Sequence, residues 1–155
     1  MKTLPIISVA IMAMTIAVAC DSDSEPQPKE ISFTEYSLSG TDCEWIQLEN
    51  SNDVELIIIN SDEKLNNYIQ CPIGKNRPAV DFSKRSLLLA RGVCLYYTYP
   101  NRINLKQFYN ESYVMTVNLM PSVMSVITPW QTAIIVDKAV IKGNIKLQIT
   151  TDPQK

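Results

Sequence analysis

Cysteine, carboxylate and tyrosine are the reactive side chains this chain offers, and it contains no histidine at all. That absence excludes Ser-His-Asp and Cys-His catalysis, histidine-ligated zinc and histidine-based pH switching. The cysteines stand at Cys20, Cys43, Cys71 and Cys94. Cys43 in "GTDCEW" and Cys71 in "IQCPIG" each lie beside turn-forming residues near the end of an element, and an exported domain can oxidise such a pair, so these two are expected to bridge. Cys94 sits among apolar and aromatic residues, where a free thiol behaves as a small hydrophobe. The spacings of 28 and 23 residues between the last three cysteines lack the close pairs of zinc modules, so neither a metal nor a cofactor is expected. Two carboxylate pairs remain. Asp62 and Glu63 are explained by the positive end of a helix, and Asp53 and Glu55 flank a strand entrance. The chain is therefore not expected to be an enzyme.

Recognition chemistry is better represented. Tyr96, Tyr97 and Tyr99, followed by Pro100 and Arg102, form the densest aromatic cluster. In a strand Tyr97 and Tyr99 point one way and Tyr96 the other, so the run cannot lie wholly in a core without partners for buried hydroxyls. Exposed tyrosines beside an arginine suit a protein or glycan surface; the plain structural alternative is a strand with half-buried rings and hydroxyls in water. The loop from Pro72 to Pro78 adds Lys75 and Arg77 as a second candidate contact, against the simple reading of solvated loop charge. Trp130, directly before a strong strand, is expected to be a packing anchor. From Ile31 onward the chain carries twelve basic and twelve acidic residues without runs, which argues against nucleic acid, whose phosphates need a basic stripe.

The first nineteen residues have a different task. Lys2 is followed by sixteen uncharged, mainly apolar residues, Leu4 to Ala19, the layout of a secretory signal and shorter than the roughly 20 residues a spanning helix needs. The sequence "AVAC", Ala17 to Cys20, resembles the lipobox of bacterial lipoproteins, with Ala17 where leucine is usual; the resemblance implies that Cys20 carries a diacylglycerol and begins the mature chain. Residues 20–30 then read as a lipidated cysteine and flexible acidic tether, "DSDSEPQPKE" having no large apolar side chain. Acidic residues after a lipidated cysteine also look like signals for export to the outer surface of some Gram-negative bacteria; a solvated spacer is the other reading. The expected location is the outer membrane, reached through a lipid anchor, with the domain on the surface if the acidic residues act as an export signal and on either face if they are a spacer.

Residues 31–155 are expected to form a single β-rich domain. In "YVMTVNLM" Tyr113, Met115, Val117 and Leu119 share one face while Val114, Thr116 and Asn118 point the other way. Similar runs occur in "ISFTEYSLS", "CEWIQL", "VELIIIN", "SLLLARG", "CLYYTY", "INLKQFY", "TAIIVDK" and "IKLQIT", rich in β-branched and aromatic residues. One segment departs from this habit. Ser61 can cap a helix over about 61–69, Asp62 and Glu63 complement its dipole, and Leu65, Tyr68 and Ile69 fall on one side. "GTD", "NSND", "YPNR", "YNES" and "IKGN" read as turns. The expected fold is mainly β (α+β), an antiparallel sheet curved or closed into a small barrel with one short helix, or alternatively a β-sandwich.

The segment Leu56 to Gly92, "LIIINSDEKLNNYI…PAVDFSKRSLLLARG", resembles the PrcB-like family in its order of strand, helix opening with Ser and acidic residues, and "DFSK" leading into an apolar strand that ends in Gly. Pro129 to Thr150 looks like the closing strands of small exported lipoproteins of similar build. The family includes a lipoprotein subunit that binds and stabilises a surface protease, so the resemblance implies a non-catalytic module for a protein partner, with a glycan or small molecule as the alternative. It implies no catalytic residues. Asp81 of "DFSK" has a structural role available, accepting backbone hydrogen bonds in a tight turn above a buried Phe82.

Overall fold

The computed structural model describes residues 27–47, 54–95, 97–109, 111–121 and 127–151. Within them the protein is mainly β, with one short helix. Its centre is formed by two pairs of long strands. β6 (Arg85–Leu95) pairs antiparallel with β9 (Ile127–Asp137), and β7 (Tyr97–Gln107) pairs antiparallel with β8 (Tyr113–Pro121). Only Tyr96 separates β6 from β7, and the pairing passes from Leu95↔Ile127 to Tyr97↔Pro121 across that point. The two pairs thus continue one another as an antiparallel ribbon whose halves belong to two different sheets.

The remaining strands extend each half. β1 (Lys29–Glu30) and β10 (Ile145–Thr151) flank the β7/β8 pair, giving the order β1-β7-β8-β10, with β10 parallel to β8. β2 (Thr34–Glu35) and β4 (Glu55–Ile59) flank the other pair as β2-β9-β6-β4. Between the two sheets lies a core of Leu88, Ala90, Ile134 and Val136 from the second sheet against Leu105, Met115, Val117 and Leu119 from the first. Period-two alternation explains the sorting: Tyr113, Met115, Val117 and Leu119 of β8 are buried, and the even residues between them are half-buried on the opposite face.

The second sheet is buried on both faces. Leu87, Leu89, Ile59 and Ala133 on its far side pack under a third layer made of Tyr36, Leu38, Leu65, Ile69 and Val80. This is why "LLLA", Leu87 to Ala90, has no polar alternate positions. The third layer contains α1 (Asp62–Asn66) and a two-stranded sheet of β3 (Glu44–Trp45) with β5 (Ile69–Gln70), tied by the Cys43–Cys71 disulfide whose Cα atoms are 4.2 Å apart. Cys94 is free and half-buried against the intersheet core.

Four expectations are corrected. The described sheets do not close into a barrel: β4 and β10 end their sheets without pairing with each other, and buried residues of the two sheets meet in one shared core. The helix stops at Asn66 rather than near 69, since Ile69 is drawn into pairing with Trp45 beside the disulfide. Ser61 does cap it, its hydroxyl accepting from the Lys64 amide at 3.2 Å. "YPNR" is no turn but the irregular middle of β7, with register shifts on both sides of Pro100, which has no N–H to donate. Accordingly "CLYYTY" is shared between β6 and β7. Finally, Lys29 and Glu30, expected to belong to the flexible tether, pair with Gln107 and Lys106 at the edge of β7. The expected "NSND" turn falls outside the described residues.

Candidate functional site

Positions of opposite parity to the core residues build the exposed face of the first sheet. Cross-strand pairing sets Arg102, Asn118 and Thr150 in one row, Asn104, Thr116 and Gln148 in the next, and Lys106, Val114 and Lys146 in the third. No described element covers this face. The three rows contain amides, hydroxyls and three cations but no carboxylate; Glu30, opposite Lys106 at the edge, is the nearest along the register, 3.8 Å from the Lys106 ammonium. Tyr99 stands at the end of this face where β7 begins and is 56% exposed, and Arg102 is exposed beside it. At the other end, where β7 turns toward β8, Phe108 and Tyr109 are exposed by 39% and 72%. They line two shallow hollows of about 430 and 220 Å³, the first with Val114 and Lys146 and the second with Gln27 and Lys29.

The two candidate contacts suggested by the sequence lie on different layers of the fold. Tyr99 and Arg102 lie on the first sheet, whereas Lys75 and Arg77 belong to the third layer on the far side of the second sheet. Tyr96 lies outside the described residues, and Tyr97 contributes its backbone to β7. Cys20 likewise lies outside the described residues.

Lys75 and Arg77 are engaged within the fold. Lys75 pairs with Asp42 at 2.7 Å, while the Arg77 side chain, only 12% exposed, reaches Asp62 at 2.7 Å and Asn66 at 3.1 Å. Arg77 thereby fastens the loop after β5 to α1. Tyr36 completes this packing: its hydroxyl donates to the Pro78 carbonyl at 2.9 Å and its ring meets Trp45 edge to face, centroids 5.9 Å apart. Burial pushes the Tyr36 phenol upward, with the Arg77 hydrogen bond acting in the opposite direction. A groove of about 650 Å³ opens beside Asp62, Asn66, Lys75 and Arg77, but Arg77 is paired with Asp62 across it and Lys75 with Asp42 outside it.

The carboxylates have similar partners. Glu55 accepts from Arg91 Nε at 2.6 Å, and the Arg91 guanidinium also lies over the Tyr68 ring, 5.0 Å from its centroid. Asp53 lies outside the described residues. Asp81 accepts from the Ser83 hydroxyl and, at 3.1 Å, from the Ser83 amide, bonds that hold its carboxyl below the usual range. The Asp81 carbonyl also receives the Lys84 and Arg85 amides, and Phe82 packs against the third-layer core, so this residue shapes the turn into β6. Trp130 is 3% exposed and belongs to the intersheet core.

The sequence view missed Asn104, Thr116, Gln148, Lys106 and Lys146 as one surface, and Phe108 and Tyr109 as its exposed end. Their signal was present as the polar positions alternating with Leu105, Met115 and Leu147. Which strands lie side by side, and so which polar positions form rows, is a matter of pairing. No family model matches the chain, and neither a curated protein nor a solved structure matches it significantly.

Proposed function

We propose that this chain is an exported lipoprotein, attached to the bacterial outer membrane through Cys20, whose β-rich domain is a non-catalytic module for a protein partner. The resemblance of Leu56 to Gly92 to protease-stabilising subunits makes an exported protease, stabilised or restrained by the module, the first partner to test. The observation that carries the reading is the outer face of β7, β8 and β10, whose three rows hold cations and no carboxylate, with exposed Tyr99 and Arg102 at its end. Tyrosine and arginine supply large contact area and directed hydrogen bonds, and are the residues in which interface energy concentrates. Arg102, exposed beside Tyr99, suits a partner patch that presents carboxylates.

The test is retention of a partner by the lipidated protein purified from its own membranes, compared with Tyr99→Ala and Arg102→Glu forms. Loss of one interface anchor typically costs about 2 kcal/mol or more, so a discrete partner is expected to be held at least about ten-fold less well by either variant. Undiminished retention by both variants would remove this face from the interface. A glycan is the second reading, favoured by the flat row of Asn104, Thr116 and Gln148, whose amides and hydroxyl can hydrogen-bond sugar hydroxyls. Binding to a glycan array by a protein that retains no partner would decide for it.

A further inference from the structure

Phe108 and Tyr109 are exposed together at the turn between β7 and β8, although Tyr113 two positions beyond Glu111 is fully packed. Around them lie cations from three strands: Lys29 on β1, Lys106 on β7 and Lys146 on β10. Gln27 and Lys29 line one hollow with both aromatic rings, so the chain enters the described structure beside this turn. We propose that the Phe108–Tyr109 turn and its lysines rest on an anionic lipid surface, so that the domain stands on the membrane in one orientation. The proposal rests on the reading of Cys20 as the lipid attachment point.

Three independent features converge here. Seven residue steps separate Cys20 from Gln27, and a fully extended chain of that length spans no more than about 25 Å. An anchor at Cys20 therefore keeps this end of the molecule near the bilayer. Aromatic rings with one wet edge settle at the headgroup level, which suits Tyr109 at 72% exposure and Phe108 beside it. Each lysine close to an anionic leaflet strengthens association about five-fold at moderate salt; Lys106 and Lys146 flank Val114 in one cross-strand row, and Lys29 lines the hollow beside Phe108 and Tyr109. Neither rings nor lysines alone would hold a protein on a membrane, but a contact made by an already anchored chain need only select an orientation.

The same orientation serves the proposed function. Tyr99 lies near the other end of β7, eight residue steps from Gln107, or roughly 27 Å at ordinary strand rise. With the aromatic turn on the lipid, Tyr99 and Arg102 point away from the membrane, where a surface protein could reach them.

The experiment uses the lipidated protein floated with vesicles of phosphatidylglycerol in phosphatidylethanolamine, with hydroxyl-radical labelling of individual residues read by mass spectrometry. Tyr109 is more exposed than Tyr99, 72% against 56%, so without membrane contact it labels at least as fast. Membrane contact is expected to invert that order, with Tyr109 about five-fold slower than Tyr99, and a Lys106→Glu/Lys146→Glu form is expected to restore fast labelling of Tyr109. Floated protein whose Tyr109 labels faster than Tyr99 overturns the orientation while leaving the anchor standing. Protein that does not float with the vesicles overturns the anchor, and the orientation with it.

Discussion

Individual residues in this fold are constrained most sharply where backbones meet. A Cβ placed on Gly143 would lie 2.0 Å from the carbonyl oxygen of Glu111, which itself adopts a φ of 56°. Main chain cannot retreat as a flexible side chain can. Gly143→Ala is therefore expected to cost on the order of 3 kcal/mol, the upper part of the range for overpacking. Gly92 faces side chains instead: its added Cβ would meet Val54 at 3.0 Å and the Trp130 indole at 3.1 Å. Those groups can shift by tenths of an ångström, so Gly92→Ala should cost about 1 kcal/mol. Urea unfolding of the two variants provides the comparison, and equal losses would contradict this account. "IKGN" reads as a turn from its composition, but the need for glycine at that position comes from Glu111, thirty-two positions earlier in the chain.

Among the elements, the third layer depends most on a covalent link. α1 has five residues, too short to be stable alone, and β3 and β5 have two each, so propensity contributes little. What holds the layer is burial of Leu65, Ile69 and Val80 on the second sheet, the Arg77 bonds to α1 and the disulfide across 28 residues. Closing a loop of that length stabilises the folded state by about 3 to 4 kcal/mol in the chain-entropy description. A Cys43→Ala/Cys71→Ala form should lose that amount in denaturant unfolding. A loss below about 1 kcal/mol would mean that packing alone secures the layer. The sequence made the cap at Ser61 legible because capping is local. The early end of the helix was not legible, because β3, lying 24 residues before Ile69, competes for that residue's backbone.

For the whole molecule, protection should follow the layers. β6 and β9 lie at the centre of the second sheet, covered on both faces, with Leu87, Leu88 and Ile134 fully buried. β1 is a two-residue edge strand with exposed side chains. Hydrogen exchange should accordingly be slowest at the β6 and β9 amides and fast at Lys29 and Glu30, the order in which local opening becomes costly. Comparable rates in β1 and β6 would count against a core organised around β6 and β9.

The sequence by itself determined the kind of element and the buried face of each long strand, as "YVMTVNLM" illustrates, because alternation of polar and apolar side chains is a local property. It likewise marked Cys20 as the boundary between an apolar leader and an acidic segment. Only the tertiary structure decided that the β6/β9 and β7/β8 pairs belong to two sheets over a shared core instead of one closed barrel, that Arg77 turns inward to α1, and that Tyr99 and Arg102 share a face with Asn104, Thr116 and Gln148. The physical reason is common to all three: they depend on which strands pair and which layers stack, and those choices are settled by burial summed over residues far apart in the chain.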